Sequence, residues 1–361
     1  MSEPQREQIE HAIALYRDPY VETDLRSAKA IKSLDVEGGR VRVGVTLGFP
    51  AAGHRSALTA ALDERIRAVE GVENVEVDVG WKISSHAVQQ GLDALKGVRN
   101  IIAVASGKGG GGKSTIAANL ALALSAEGAT VGVLDADIYG PSQPRMLGAQ
   151  GQPDSRDGKS LEPMTTYRIQ SMSIGYLIEE DTPMIWRGPM VTQALEQLLR
   201  DTNWRDLDYL VVDLPPGTGD IQLTLAQRIP VSGAVIVTTP QDIALLDARK
   251  GLGMFEKVKV PVLGIIENMS THVCSNCGHE DHIFGEGGGK RMAEEYGVTL
   301  LGDIPLARSI REDADSGQPT VVRDPDGAVG RRYRDIARRV AAKLSLKAKD
   351  YSQAFPKIVI Q

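Results

Sequence analysis

The sequence predicts an α/β fold, a doubly wound and mostly parallel sheet, preceded by a small α+β domain. Three observations predict it. From Ile101 onward, apolar runs of strand length alternate with segments of helical period. A glycine-rich loop, GKGGGGKST from Gly107 to Thr115, sits where one such run meets one such helix. Two later runs end in acids, VGVLD at Asp135 and YLVVD at Asp213, as strands do when their carboxyl ends line a site.

In chain order, residues 1–81 read as helix, hairpin, helix and strand. The hairpin turns at Glu37-Gly38-Gly39, and Val41, Val43, Val45 and Leu47 then alternate as a half-buried strand does. Leu58, Leu62, Ile66 and Val69 make one helix face, and Val75, Val77 and Val79 the last strand of the domain. A polar linker helix, Ser84 to Lys96, is expected within residues 82–98. The second domain is expected over 99–345, with DSRDGKS from Asp154 as a surface loop and a tail over 346–361. Near its end, Arg331 to Lys349 reads as a basic helix whose Tyr333, Ile336, Val340 and Leu344 dock on the domain, lysines outward. The terminal AFPKIVIQ and Trp186-Arg187-Gly188-Pro189 carry no assigned role.

The loop fits two templates. As G-x-G-x-x-G it offers Gly107, Gly109 and Gly112, with Asp135 roughly 20 residues on, where a ribose-binding acid belongs. As G-x-x-x-x-G-K-[ST] it offers Gly107, Gly112, Lys113 and Ser114. The second template alone uses Lys113 and Ser114: an ammonium for the β- and γ-phosphates and a hydroxyl for magnesium. Ile116, Leu120, Ala123 and Leu124 open a helix behind it, aiming backbone N–H groups and a helix dipole at an anion. ATP with Mg2+ is therefore the expected ligand, cradled by Gly107, Lys108, Gly109, Gly110, Gly111, Gly112, Lys113, Ser114 and Thr115. The acids complete the chemistry. Ser114, Asp135 and Asp213 form the expected magnesium set, and Asp137, or else Asp135, is expected to position the attacking water. Pro215, Pro216 and Gly217 restrict the chain after Asp213 to a turn suited to sensing the γ-phosphate.

Composition narrows the class. At 361 residues the chain can build two sizeable cores, and a net charge of −6 disfavours nucleic acid as a partner. The start, MSEPQREQIEHAI, lacks a signal-peptide core, and no apolar run is long enough to span a bilayer. Only two cysteines occur, both in one C-x-x-C, which points to a reducing compartment. A cytoplasmic protein without stable membrane insertion is expected.

The pair is Cys274-Ser-Asn-Cys277. His272, His279 and His282 lie close enough in sequence to complete a Cys2His2 zinc site. An iron–sulfur cluster instead wants four thiolates, which a twofold dimer would supply. Disulfide exchange fits less well, because a polar Gly278-His279-Glu280-Asp281 follows in place of an apolar helix.

GKGGGGKST with its extra Lys108, DADIYGPS and VVDLPPGTGD together resemble the deviant Walker ATPases that include the MinD and ParA partitioning proteins. Within that group, ENMSTHVCSNCGHEDHIFGEGGG and LLGDIPLARSIREDADSGQP resemble the Mrp/ApbC iron–sulfur cluster carriers. The likeness runs from about Leu95 to about Val322, and the N-terminal segment looks like the small domain often fused to bacterial members. The resemblance implies a homodimeric ATP hydrolase in which Lys108 reaches the partner's phosphates, while Asn268 and the backbone near Pro305 hold the adenine. It also implies a cluster, [4Fe–4S] in type, bridged by Cys274 and Cys277 of two subunits and delivered to apo-proteins. Three positions depart from the family pattern: Gly111 for valine, Ser275 for proline, and FPAAGH, which lacks a cysteine. The competing reading is a MinD/ParA-like positioning ATPase with structural zinc.

Overall fold

The computed structural model describes residues 6–89, 91–178, 188–274 and 276–350. Ser275, Trp186, Arg187 and the terminal AFPKIVIQ lie outside the described residues. The chain divides into two compact units, Met1–Ser84 with Ala341–Ala348, and a larger one built on Ser85–Val340.

The first unit holds α1 (Arg6–Ala14), β1 (Ile31–Glu37), β2 (Arg40–Leu47), α2 (Arg55–Arg67) and β3 (Asn74–Trp81). Gly38 and Gly39 close the β1–β2 hairpin with φ of 51° and 79°, a left-handed pair that glycine adopts without steric cost. Val41, Val43, Val45 and Leu47 of β2 all point inward, and β3 joins in parallel, Val41 opposite Val75 and Val45 opposite Val79. Leu58, Leu62 and Ile66 of α2 are fully buried against this face. Each such side chain stabilises the unit by about 1.5–3 kcal/mol through burial.

The expected linker helix is corrected. Among its described residues, Ser84 to Lys96 contains no helix. Gly91 and Gly97 take φ of 90° and 77°, which a continuing helix cannot accommodate. Polar side chains there bind groups distant in sequence instead. Gln89 Nε2 donates to the Ala226 and Ile229 carbonyls at 2.7 and 3.2 Å, and His86 Nδ1 lies 2.8 Å from Asn100 Oδ1.

The second unit continues with β4 (Ile101–Ser106), α3 (Lys113–Ala126), β5 (Val131–Asp135), α4 (Gln143–Met146), β6 (Met164–Thr166) and β7 (Ile169–Ser173). Then come α5 (Gly188–Asp201), β8 (Tyr209–Asp213), α6 (Asp220–Arg228), β9 (Gly233–Thr238) and α7 (Asp242–Lys257). The last part comprises β10 (Val262–Val273), β11 (Glu280–Asp281), α8 (Gly288–Tyr296), β12 (Leu300–Leu306), α9 (Arg308–Asp315), α10 (Thr320–Arg323) and α11 (Ala328–Ser345). Among the described residues these strands form one nine-stranded sheet in the order β11-β10-β9-β4-β8-β5-β7-β6, with β12 also paired to β10. Its ladders are parallel except at β6 and β11. All residues of β4, β5, β8 and β9 are buried, as strands covered by helices on both faces must be.

The path fixes the site. The chain leaves β4 through the glycine loop, passes α3 to β5, and later inserts β8 between β4 and β5. The register sets Asp213 opposite both Val104 and Asp135, so both strand-end acids lie at one edge beside the loop. That edge is where a doubly wound sheet binds its ligand. At the other end of α3, buried Glu127 accepts from Arg334 and Arg338 of α11 at 2.8 and 2.7 Å. Tyr333, Ile336 and Val340 are buried in the part of α11 that belongs to the second unit, whereas Leu344, also buried, lies in Ala341–Ala348, which belongs to the first.

Candidate functional site

The glycine loop is held from both sides. A Cβ on Gly107 would lie 2.4 Å from the backbone of Asp247 on α7, so only glycine permits this approach. Gly110 and Gly112 take φ of 83° and 79°, and Gly112 is the residue from which α3 starts. Gly109, Gly110 and Gly111 have open space where side chains would be, next to a cleft that also reaches Thr239, Gln241 and Phe284. Exposed backbone N–H groups at a helix start form an anion cradle.

Lys113, the first residue of α3, is 6% exposed. Its ammonium pairs with the fully buried Asp213 and lies 3.3 Å from Ser114 Oγ. Asp135 is also fully buried and accepts four hydrogen bonds, from the N–H groups of Asp137, Ser142 and Gln143 and from Ser173 Oγ, at 2.9–3.1 Å. Burial, and next the negative charge of Asp213, push its carboxyl up to about 7 against the pull of those N–H donors and Lys113. Asp137, half-buried, is also raised; burial drives this and the Lys113 charge opposes it. After β8, Gly217 N–H donates to the Ser106 carbonyl at 3.1 Å, tying the Pro215-Pro216 turn to the strand before the loop.

Gln143 was not among the expected site residues. It is fully buried, and its Nε2 donates to the Ser114 carbonyl at 3.0 Å and to Asp213 Oδ2 at 2.9 Å. Its position just past DADIYGPS, in the loop that wraps Asp135, is the only signal the sequence offers.

The oxygen set suits a magnesium ion arriving with nucleotide. Ser114 hydroxyl and the Asp213 and Asp135 carboxylates are hard donors, and among the described residues no group of three or more His, Cys, Asp or Glu forms a closed metal cage. Magnesium characteristically takes one or two carboxylates and completes its shell with water and phosphate.

Lys108 is exposed, with its backbone carbonyl accepting from Ser106 Oγ at 3.0 Å. Asn268, on β10 and 7% exposed, donates from Nδ2 to the Gly111 carbonyl at 2.8 Å. Pro305 follows Ile304, the residue opposite Asn268 on β12. The structure therefore brings Asn268 to the loop's flank, with Pro305 one residue beyond its partner on β12. Met269, next in β10, holds φ of 58°, strain of the kind that persists where surrounding contacts enforce it. Glu267, one residue before Asn268, accepts from the Gly289 N–H at the start of α8, a contact that no sequence motif signals.

Cys274 directly follows β10. Its N–H donates to the His279 carbonyl and its carbonyl accepts from Gly278 N–H, each at 2.9 Å, closing a tight knuckle. The N–H groups of Asn276 and then Cys277 hold the Cys274 thiol below the usual range. Cys277 is exposed. His272 Nδ1 engages the Leu306 carbonyl and His282 Nδ1 the Ser270 carbonyl, and among the described residues no third His, Cys, Asp or Glu is grouped with the two cysteines.

Residues 97–341 match the family described as ParA: NUBPL iron-transfer P-loop NTPase. The chain belongs to this family. Residues 6–79 of this NUBPL-type NTPase match a second family, described as iron-sulfur cluster assembly protein. The NTPase is 57% identical over 278 residues to the iron-sulfur cluster carrier protein of Pseudomonas fragi, covering 76% of this chain and 97% of the relative. With the Escherichia coli K12 protein of the same name the identity is 50% over 340 residues, 94% of this chain and 92% of the relative. A solved nucleotide-binding protein from Archaeoglobus fulgidus, in complex with ADP, matches at a TM-score of 0.55 and 38% identity over 64% of the NTPase and 90% of that chain. The resemblance to iron–sulfur carriers is borne out, as is the P-loop fold. No helix among the described residues is long and apolar enough to cross a membrane.

Proposed function

We propose that the chain is an ATP-hydrolysing carrier that binds an iron–sulfur cluster between two copies of itself and delivers it to apo-proteins in the cytoplasm. One observation carries this reading. β10 contacts the phosphate loop through Asn268 and leads directly into Cys274, whose thiol pKa is lowered and which finds no third ligand in its own chain among the described residues. Two copies would supply the four thiolates of a [4Fe–4S] cargo. Relatives named as iron–sulfur cluster carriers over nearly the whole chain support it.

In this reading the loop N–H groups and Lys113 hold the phosphates, and Asn268 with the backbone at Pro305 holds the adenine. Ser114 and Asp213 take the magnesium ion, with Asp135 beside them; bound there, the ion neutralises charge on the β- and γ-phosphate oxygens. Asp137, half-buried near Lys113, orients the attacking water. Lys108, exposed at the loop, reaches the nucleotide of the second copy. The N-terminal unit docks cluster donors or recipients. A positioning role on membranes is not favoured, because the basic α11 buries its apolar face in its own chain.

Anaerobic reconstitution with iron and sulfide tests the reading. Wild type is expected to gain visible absorption and about two irons per chain. Both should vanish in Cys274→Ala/Cys277→Ala. Tight stoichiometric zinc that blocks iron uptake would overturn the proposal.

A further inference from the structure

We propose that Gln143 is a positioning residue of the magnesium–nucleotide site, steering Asp213 with its amide N–H group and presenting its amide oxygen to a water of the magnesium shell. The inference rests on the nucleotide reading above and concerns a residue that reading does not use.

Geometry orients the amide without ambiguity. The atoms at 3.0 and 2.9 Å, the Ser114 carbonyl and Asp213 Oδ2, can only accept, so the NH2 end must face them. Oε1 then points elsewhere, and it is buried with no hydrogen-bond partner. Native interiors rarely leave such an acceptor unpaired, and one that persists calls for a bound water or ion to satisfy it. The backbone ties the same residue to the second acid, since Gln143 N–H donates to Asp135 Oδ2 at 3.0 Å. One fully buried side chain thus touches Ser114 and Asp213 while its main chain touches Asp135. Those three are the residues expected to meet the metal.

A carboxylate such as Asp213 has two oxygens and several lone pairs, and Lys113 engages Oδ1. Gln143 fixes Oδ2, so the plane of the carboxylate is set by two donors. Partners one step outside a metal's own ligands orient those ligands and tune affinity. Gln143 has both chemical halves that such a role requires, a donor to the ligand and an acceptor for ion-bound water.

The test titrates a fluorescent ATP analogue into the full-length protein twice, once with excess Mg2+ and once with EDTA. Wild type should bind more tightly with Mg2+. Gln143→Met, which keeps the volume and removes both polar groups, should lose about tenfold of that tightening, within the range typical of outer-shell changes, and bind unchanged in EDTA. Gln143→Glu keeps an acceptor but loses the donor and sets a second carboxylate against Asp213 Oδ2, so it should lose the tightening as well. If Gln143→Met does not fold by circular dichroism, Gln143→Ala takes its place with the same reading. Equal weakening in both media would reduce Gln143 to a packing role and overturn the inference. So would wild-type tightening in Gln143→Met or in Gln143→Glu. Wild type that shows no magnesium-dependent tightening would sink the nucleotide reading itself.

Discussion

Gly109, Gly110, Gly111 and Gly112 follow one another in the phosphate loop, yet they are not equivalent. Gly112 has φ of 79°, and a Cβ there would lie 2.2 Å from Asn268 Nδ2. Gly111 lies outside the left-handed region and faces open space. Gly111→Ala should therefore stabilise the protein by about 0.4–1 kcal/mol, through a less disordered unfolded chain, and leave ATP binding intact. Gly112→Ala should destabilise by more than that and weaken binding, since it both strains the backbone and displaces Asn268. Thermal melts with a nucleotide titration check both. A stabilised Gly112→Ala would show that the contact with Asn268 does not hold the loop.

Among the elements, α11 is bound by charge to the end of α3, while its apolar stripe is buried. Glu127 has no exposed surface, and it meets Arg338 at 9% and Arg334 at 19% side-chain exposure. Removing one member of such a network leaves buried charge behind. Glu127→Ala should cost about 3 kcal/mol, and Glu127→Gln, which keeps an acceptor, should cost less. Scanning calorimetry should place the midpoint of Glu127→Ala roughly 6–12 °C below wild type. A midpoint unchanged from wild type would mean that Arg334 and Arg338 simply turn to solvent. The stripe of α11 was legible because Tyr333, Ile336, Val340 and Leu344 keep helical spacing, and the buried strands were legible because they are apolar throughout. Glu127 was not, for its partners lie 207 and 211 residues away. The linker misled for a related reason: Gln89 and His86 suit a solvated helix until their targets across the fold are known. Asp213 and Lys113 announced themselves by motif, whereas Gln143 acts through contacts that no spacing encodes.

At the scale of the whole molecule, the proposed roles of Lys108 and of the cysteine pair both require a second copy. Light scattering should show the mass doubling in wild type with ATP and with a loaded cluster. Lys108→Ala should lose the ATP-driven doubling and keep the cluster-driven one, and Cys274→Ala/Cys277→Ala should do the reverse. A monomer under every condition would exclude the bridged cargo. What joins the two requirements is β10, at twelve residues the longest described strand. Its root is clamped on both sides, by β9 as far as Glu267 opposite Thr238 and by β12. Beyond Asn268 the pairing with β12 slips and resumes only at His272 opposite Leu306, while β9 has ended and only the two-residue β11 flanks it. Mechanically this is a beam built in at one end, its root gripped from both sides beside the nucleotide loop and its tip held by short pairings alone. On the proposed reading the cargo binds at that tip, two residues beyond the last position paired to β12, outside the sheet that folds the protein.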